Sequence, residues 1–265
     1  MYAFDYVKPA TLQDAVAALA AEDAQIIAGG QTLIPTLKQR LAQPSVLVDV
    51  SGIAEMTGIC EAEGAVSIGA ATTHGQAAES DLVKRLIPGL ADLAAHVGDP
   101  QVRNRGTVGG SIANNDPSAC WPAAAMGLGA SMVTSAGRRI HADDYFQGMF
   151  TTALEEGEIL TSIDFPVPAA SAYMKFEQPA SRFALVGVFV ANFPGAPRVA
   201  VTGASEDGVF RWAEAEAALA GSFSAEAVAG LALPADGMIG DMHGTPAYRA
   251  HLVGVMTRRG VAAAA

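Results

Sequence analysis

An α/β fold followed by a smaller α+β unit is what this sequence predicts, and three observations carry the prediction. Helix-like and strand-like segments alternate through the first third. Apolar residues make up 51% of the chain, enough for a large core. Three strand-like runs separated by Pro and Gly open the last third, the pattern of a small antiparallel sheet. At 265 residues the chain has room for one large domain or two to three small ones.

The elements follow in order. Thr11 and Asp14 form an N-cap pair ahead of a one-sided helix built on Leu12, Val16 and Leu19. A strand at 25–28 runs into Gly29-Gly30, a helical stretch covers 35–41, and a strand at 46–50 ends in the Ser51-Gly52 turn, giving a β-α-β unit. Beyond residue 54 come a strand at 66–69, helical pieces at 86–97, and a long Gly-rich segment, 98–117, that reads as irregular. The uncharged window 117–137 is cut by Pro117, Pro122, Gly127 and Gly129 and reads as a buried helix followed by a strand. A membrane span needs about 20 strongly apolar residues. Val133 and Ile140 belong to a hairpin, and a strand at 159–165 is closed by Pro166 and Pro168.

Strands are then expected at 173–176, 183–193 and 199–203, and helices at 212–220 and 247–259, with Arg258-Arg259 suited to a helix C-terminus. The 183–193 run reads as a buried strand ahead of a partner-binding edge. The stretch 225–245 has no clear pattern. The resulting division is 1–54, 55–168 and 169–265.

Charge and cysteine usage narrow the function. Sixteen Lys+Arg against 27 Asp+Glu leave a net charge of −11, the wrong sign for neutralising a phosphate backbone, so nucleic acid is not an expected partner. Cys60 and Cys120 stand far apart, without a CxxC pair, an iron–sulfur ligand set or a disulfide framework, which suits a reducing compartment. The start MYAFDYVKPA has no apolar run of a signal peptide. A cytoplasmic, soluble protein with no transmembrane segment is expected, despite a mean hydropathy of +0.28. The five histidines, His74, His96, His141, His243 and His251, show no metal-ligand spacing, and no metal residues are assigned. Neither a P-loop, a strand-linked GxGxxG nor a GxSxG elbow is present, and no catalytic nucleophile is identified.

Two other loops stand out: Ala28-Gly29-Gly30-Gln31-Thr32, between a strand and a helix, and Thr107-Val108-Gly109-Gly110-Ser111. Each couples adjacent glycines, which allow close backbone approach, to a hydroxyl residue. Consecutive N–H groups in such turns make an anion-binding concavity, and the helix after Thr32 adds its N-terminal dipole. Either loop alone reads first as a tight turn. Two in one chain shift the reading toward a ligand.

The segment AGGQTLIP at 28–35, taken with VGDPQVRNRGTVGGSIANNDP at 97–117, resembles the FAD-binding medium subunit of molybdenum-containing hydroxylases. That family includes aerobic carbon monoxide dehydrogenase and the flavin domain of xanthine dehydrogenase. The likeness continues through GEILTSI at 157–163, YMKF at 173–176, PAYR at 246–249 and MTRR at 256–259, and so covers nearly the whole chain. It implies a two-subdomain FAD-binding fold with the cofactor in the cleft and a small C-terminal α+β domain closing one side.

By the same resemblance, Ala28, Gly29, Gly30, Gln31 and Thr32 would hold the pyrophosphate of a non-covalent FAD together with Thr107, Val108, Gly109, Gly110 and Ser111. Asn115 and Asp116 would reach ribityl or ribose hydroxyls, and Leu160 would touch the isoalloxazine or fix it through its backbone. Lys175 would sit near the ring, where a cation favours the reduced anionic form. Arg103 and Arg105 read as charge compensation, a partner anchor or a solvated loop. No aromatic cover for the ring stands out. The implied function is electron transfer from [2Fe-2S] clusters on a small partner subunit to an external acceptor such as quinone or oxygen. Substrate oxidation would take place at a molybdenum cofactor on a large partner subunit, in a dimer of heterotrimers. The alternative is a stand-alone, non-covalent flavin oxidoreductase of the same fold.

Overall fold

A computed structural model describes residues 1–265. The chain starts with β1 (Asp5–Val7), α1 (Leu12–Leu19), β2 (Ala24–Ile27), α2 (Leu33–Lys38) and β3 (Val46–Asp49). These strands form a parallel sheet in the order β1-β3-β2, with Tyr6 opposite Leu47 and Ile26 opposite Val48. Thr11 caps α1 by accepting the Asp14 N–H, as the spacing predicts. The edge strand β1 was not expected: its three residues are all exposed, so it shows no alternation of buried and open positions.

The middle third consists of β4 (Ile59–Ala62), β5 (Ala65–Gly69), α3 (His74–Glu79), α4 (Asp81–Leu86), α5 (Pro88–Ala95), α6 (Pro100–Arg103), α7 (Val108–Asn114), α8 (Cys120–Leu128), β6 (Ser131–Thr134), β7 (Arg139–His141), α9 (Ala142–Tyr145) and β8 (Leu160–Pro166). Its sheet is antiparallel in the order β4-β5-β8-β6-β7. The expectation that 98–117 is irregular is wrong, because α6 and α7 occupy much of it. Both are too short to display apolar periodicity, and tertiary bonds hold α7: Val108 N–H donates to Thr72 O and Gly109 N–H to Ala70 O, both at 2.9 Å. Their caps were nevertheless written in the chain. Asp99 accepts the Val102 N–H ahead of Pro100, and Thr107 accepts the Gly110 N–H. All nine residues of α8 are buried, which accounts for the uncharged window, and no helix is long and apolar enough to cross a membrane.

The last third contains β9 (Ala170–Glu177), β10 (Ala184–Asn192), β11 (Arg198–Ser205), β12 (Gly208–Arg211), α10 (Ala213–Gly221) and α11 (Pro246–Ala264). Its sheet is an antiparallel meander ordered β12-β11-β10-β9, one strand more than expected. The β10 side chains alternate between two cores. Phe189 and Ala191 join the large core with Trp121 and Phe165, whereas Val186, Val188 and Val190 pack with Val253, Met256 and Val261. Coverage on both faces explains a strand that reads as continuously apolar. Helix α11 runs on to Ala264, so Arg258 and Arg259 lie short of the last turn instead of in it.

Arg249 ties α11 to this sheet. Only 3% exposed, it donates to Leu185 O at 2.7 Å, to Gly203 O at 2.6 Å and to the Asp241 carboxylate at 2.6 Å. Arg249→Ala strands two buried carbonyls and a carboxylate and should cost about 3 kcal/mol. Asp241→Asn, at a half-exposed partner, should cost about 1 kcal/mol. Urea denaturation at pH 7 measures both, and equal losses would contradict the buried clamp.

Candidate cofactor site

The main cavity, about 680 Å³, draws its wall from all three parts of the chain. Ala28, Gly29, Gly30, Gln31 and Thr32 line it from the β2–α2 turn, and Thr107, Gly109, Gly110 and Ser111 from the start of α7. Asp116, Leu160 at the start of β8, and Lys175 on β9 complete the predicted residues found there. A volume of this size is typical of small-molecule sites. Two predicted residues are not in the wall. Val108 is fully buried in the core, and Asn115 is 2% exposed with its amide donating to Gly148 O at 2.7 Å and Thr151 O at 2.9 Å.

The two loops touch. A Cβ on Gly29 would lie 2.1 Å from Arg105 O and 2.6 Å from the Gly106 Cα, so backbone rests on backbone and only glycine fits. Their hydrogen bonding differs sharply. Five consecutive N–H groups, from Gly29 through Leu33, have no acceptor in the chain, and Ile34 N–H is the first to bond, to Gly30 O at 3.0 Å. The Thr32 hydroxyl takes no part in capping α2. This loop is therefore a row of open donors of the kind that receives an anion.

In the second loop the N–H groups of Val108, Gly109, Gly110 and Ser111 are all used internally, by Thr72 O, Ala70 O and Thr107. Its glycines serve packing too: a Cβ on Gly109 would fall 2.3 Å from the Ala70 Cβ. What this loop leaves open toward the cavity is the Ser111 hydroxyl and the Thr107 N–H, so the expectation of two equivalent main-chain cradles is revised to one.

The remaining groups are fixed by named partners. Lys175 Nζ donates to His96 O at 2.7 Å, at the end of α5. One Asp116 oxygen accepts the Ser118 N–H at 2.8 Å as an Asx turn, and the other is unbonded. Arg103 donates to Val97 O and Gly98 O at 3.2 and 3.0 Å, bracing a stretch that also faces the cavity, while the Arg105 side chain is exposed and unpaired.

Sequence reasoning passed over several wall residues. Glu158 is 8% exposed, and burial alone would raise its carboxyl. The Glu155 N–H, the Thr134 hydroxyl and Arg138 offset that and hold it below its usual value. His74 is 5% exposed, and burial, helped by the Arg103 charge, pushes its pKa down to about 4. Ser181, Arg182 and Phe183 reach the wall from the β9–β10 hairpin, with Phe183 52% exposed. An Arg-Phe pair after a turn was a legible signal. Nothing near His74 in sequence marked its depth.

Residues 2–168 match the family model described as the FAD binding domain in molybdopterin dehydrogenase. The chain is 34% identical to the nicotine 6-hydroxylase medium subunit of Paenarthrobacter nicotinovorans, over 97% of this chain and 95% of that one. It is 35% identical to the carbon monoxide dehydrogenase medium chain of Afipia carboxidovorans, with the same coverages of 97% and 95%. Among solved structures, reconstituted CO dehydrogenase from Oligotropha carboxidovorans superposes with a TM-score of 0.89 at 34% identity, covering 99% of this chain and 98% of that one. Quinoline 2-oxidoreductase from Pseudomonas putida 86 gives 0.88 at 34% identity, covering 99% and 97%.

Stability should follow His74 on the acid side. Its folded-state pKa is depressed, so the contribution is complete above the ordinary histidine value of 6.5 and is lost as pH falls from there toward about 4. Over that window the wild type should lose about 3 kcal/mol more than His74→Phe in urea titrations. Parallel losses in the two proteins would mean that His74 is not buried neutral.

Proposed function

The chain belongs to the FAD-binding family of the molybdopterin dehydrogenases, and from that premise we propose that it is the electron-transferring flavoprotein subunit of a molybdenum hydroxylase. The observation that carries this reading is the row of open N–H groups from Gly29 to Leu33, set against the second loop at the head of a cavity that Leu160 and Lys175 also line. These groups fit FAD. The N–H row and the hydroxyls of Thr32 and Ser111 would hold the diphosphate. The unbonded oxygen of Asp116 would accept from a ribityl or ribose hydroxyl. Leu160 would give the flavin ring an apolar contact, and the Lys175 ammonium, steadied by His96 O, would favour negative charge beside it. Phe183, an exposed aromatic side chain in the cavity wall, would offer the ring a cover.

FAD, when bound, supplies a centre that accepts electrons singly and passes them on singly or in pairs. The chain's own share is to hold it without a covalent bond, shield it from water and set the charge around it. Residues 1–54 and 55–168 act as the two cofactor-binding parts, with 169–265 closing one side. We assign [2Fe-2S] clusters to a small partner subunit and the molybdenum cofactor, with substrate oxidation, to a large one, in a cytoplasmic dimer of heterotrimers. Names such as nicotine 6-hydroxylase medium subunit and carbon monoxide dehydrogenase medium chain, among relatives aligned over nearly their full length, support that assembly. Electrons leave to an external acceptor such as quinone or oxygen.

Purification from the native host should yield a yellow complex of three different chains containing iron and molybdenum, whose flavin is released by acid. A colourless protein isolated alone, or flavin that stays with the precipitate, would contradict the assignment. The Thr32→Val, Ser111→Ala double variant removes two donors to an anion and should weaken FAD binding about 10- to 100-fold with an unchanged melting temperature. Affinity within twofold of wild type, measured by flavin fluorescence, would displace the diphosphate from these loops.

A further inference from the structure

His74 and Trp121 form a buried pair in the cavity wall that the family reading does not use. Trp121 is completely buried on α8, and its indole Nε1–H donates to His74 Nδ1 at 3.0 Å, with the rings stacked at 5.8 Å between centroids. An indole nitrogen donates only, so Nδ1 must be the acceptor and the single proton of the neutral imidazole sits on Nε2. Nε2 has no acceptor in the chain, yet it is not among the sealed, unpartnered polar atoms, and His74 lines the main cavity. A pre-set donor therefore opens into the site.

Its location is specific. His74 N–H donates to Gly106 O at 2.9 Å, and a Cβ on Gly106 would stand 2.8 Å from Nε2, so a side chain there would cover this edge of the ring. Gly106 is also the residue on which Gly29 rests. The Nε2 edge of the imidazole thus lies against Gly106, at the seam of the two loops. We propose that His74 Nε2–H is a neutral hydrogen-bond donor to the diphosphate of the bound dinucleotide, held in its tautomer by Trp121; this rests on the FAD reading above. Trp121 acts through His74 as a positioning residue. The arrangement adds a fixed donor to a cradle otherwise made of main chain and hydroxyls.

Long-range ¹H–¹⁵N spectra of the full chain, labelled at histidine and freed of flavin, test this while FAD, ADP and riboflavin are added in turn. The expected result is an Nε2-protonated His74 before any addition, whose Nε2 proton moves downfield with FAD and equally with ADP, and stays put with riboflavin. An Nδ1-protonated ring, a resonance unmoved while quenched flavin fluorescence reports bound FAD, or a response to riboflavin but not ADP would each overturn the proposal. If FAD itself fails to bind, the cofactor reading falls and this proposal with it. His74→Phe keeps a ring on Trp121 but removes the donor, and should weaken FAD binding about tenfold while leaving riboflavin binding unchanged. Equal FAD affinity in a folded His74→Phe protein would likewise overturn it.

Discussion

The contact on which the site depends is main chain against main chain, where Gly29 lies on the carbonyl of Arg105 and the Cα of Gly106. It joins a turn of the parallel sheet to the segment ahead of α7, about 75 residues apart in sequence. No side-chain substitution can reproduce that closeness, because any Cβ would collide with backbone that cannot rotate away. With the seam closed, the unbonded donors of the first loop and the wall residues of the middle and C-terminal sheets share one cavity. Without it they would belong to separate surfaces.

The two loops divide the labour. Thr107–Ser111 spends its N–H groups inward, locking α7 to the segment after β5, and so supplies rigidity. Ala28–Thr32 leaves its donors open and relies on that rigidity for its shape. The wall follows the same logic, in that Lys175, Glu158, Arg103 and His74 each have a hydrogen-bond partner within the chain that fixes where they sit. Side chains already ordered before a ligand arrives lose less entropy on binding.

Much of this was legible in the sequence, for identifiable reasons. Local chemistry marked α1 through Thr11 and Asp14, and the apolar runs marked β10 and α8, because burial on both sides leaves no polar alternation to mistake. Glycine pairs with adjacent hydroxyls marked both loops. Elements whose order comes from distant partners stayed hidden. The exposed β1 exists only through pairing with β3, and α7 through carbonyls at Ala70 and Thr72. The commitment of the second loop's donors was equally invisible, since a sequence does not show which N–H groups are already taken. Asn115 was misplaced for a related reason. A polar residue beside a binding motif looks available, whereas this one is the left-handed end of α7, with its amide spent on the loop at Gly148 and Thr151.

The alternation along β10 bears on what can be separated from what. Phe189 and Ala191, joined by Tyr173, Ala200 and Val209, are members of the core beneath the cavity, yet all lie beyond residue 168, where the family match ends. An excised fragment that stopped there would expose the underside of α8 and leave holes no solvent could fill comfortably. The reach of the family model and the extent of the packed core thus have different boundaries in this chain: the part that the model matches is physically a portion of a larger body.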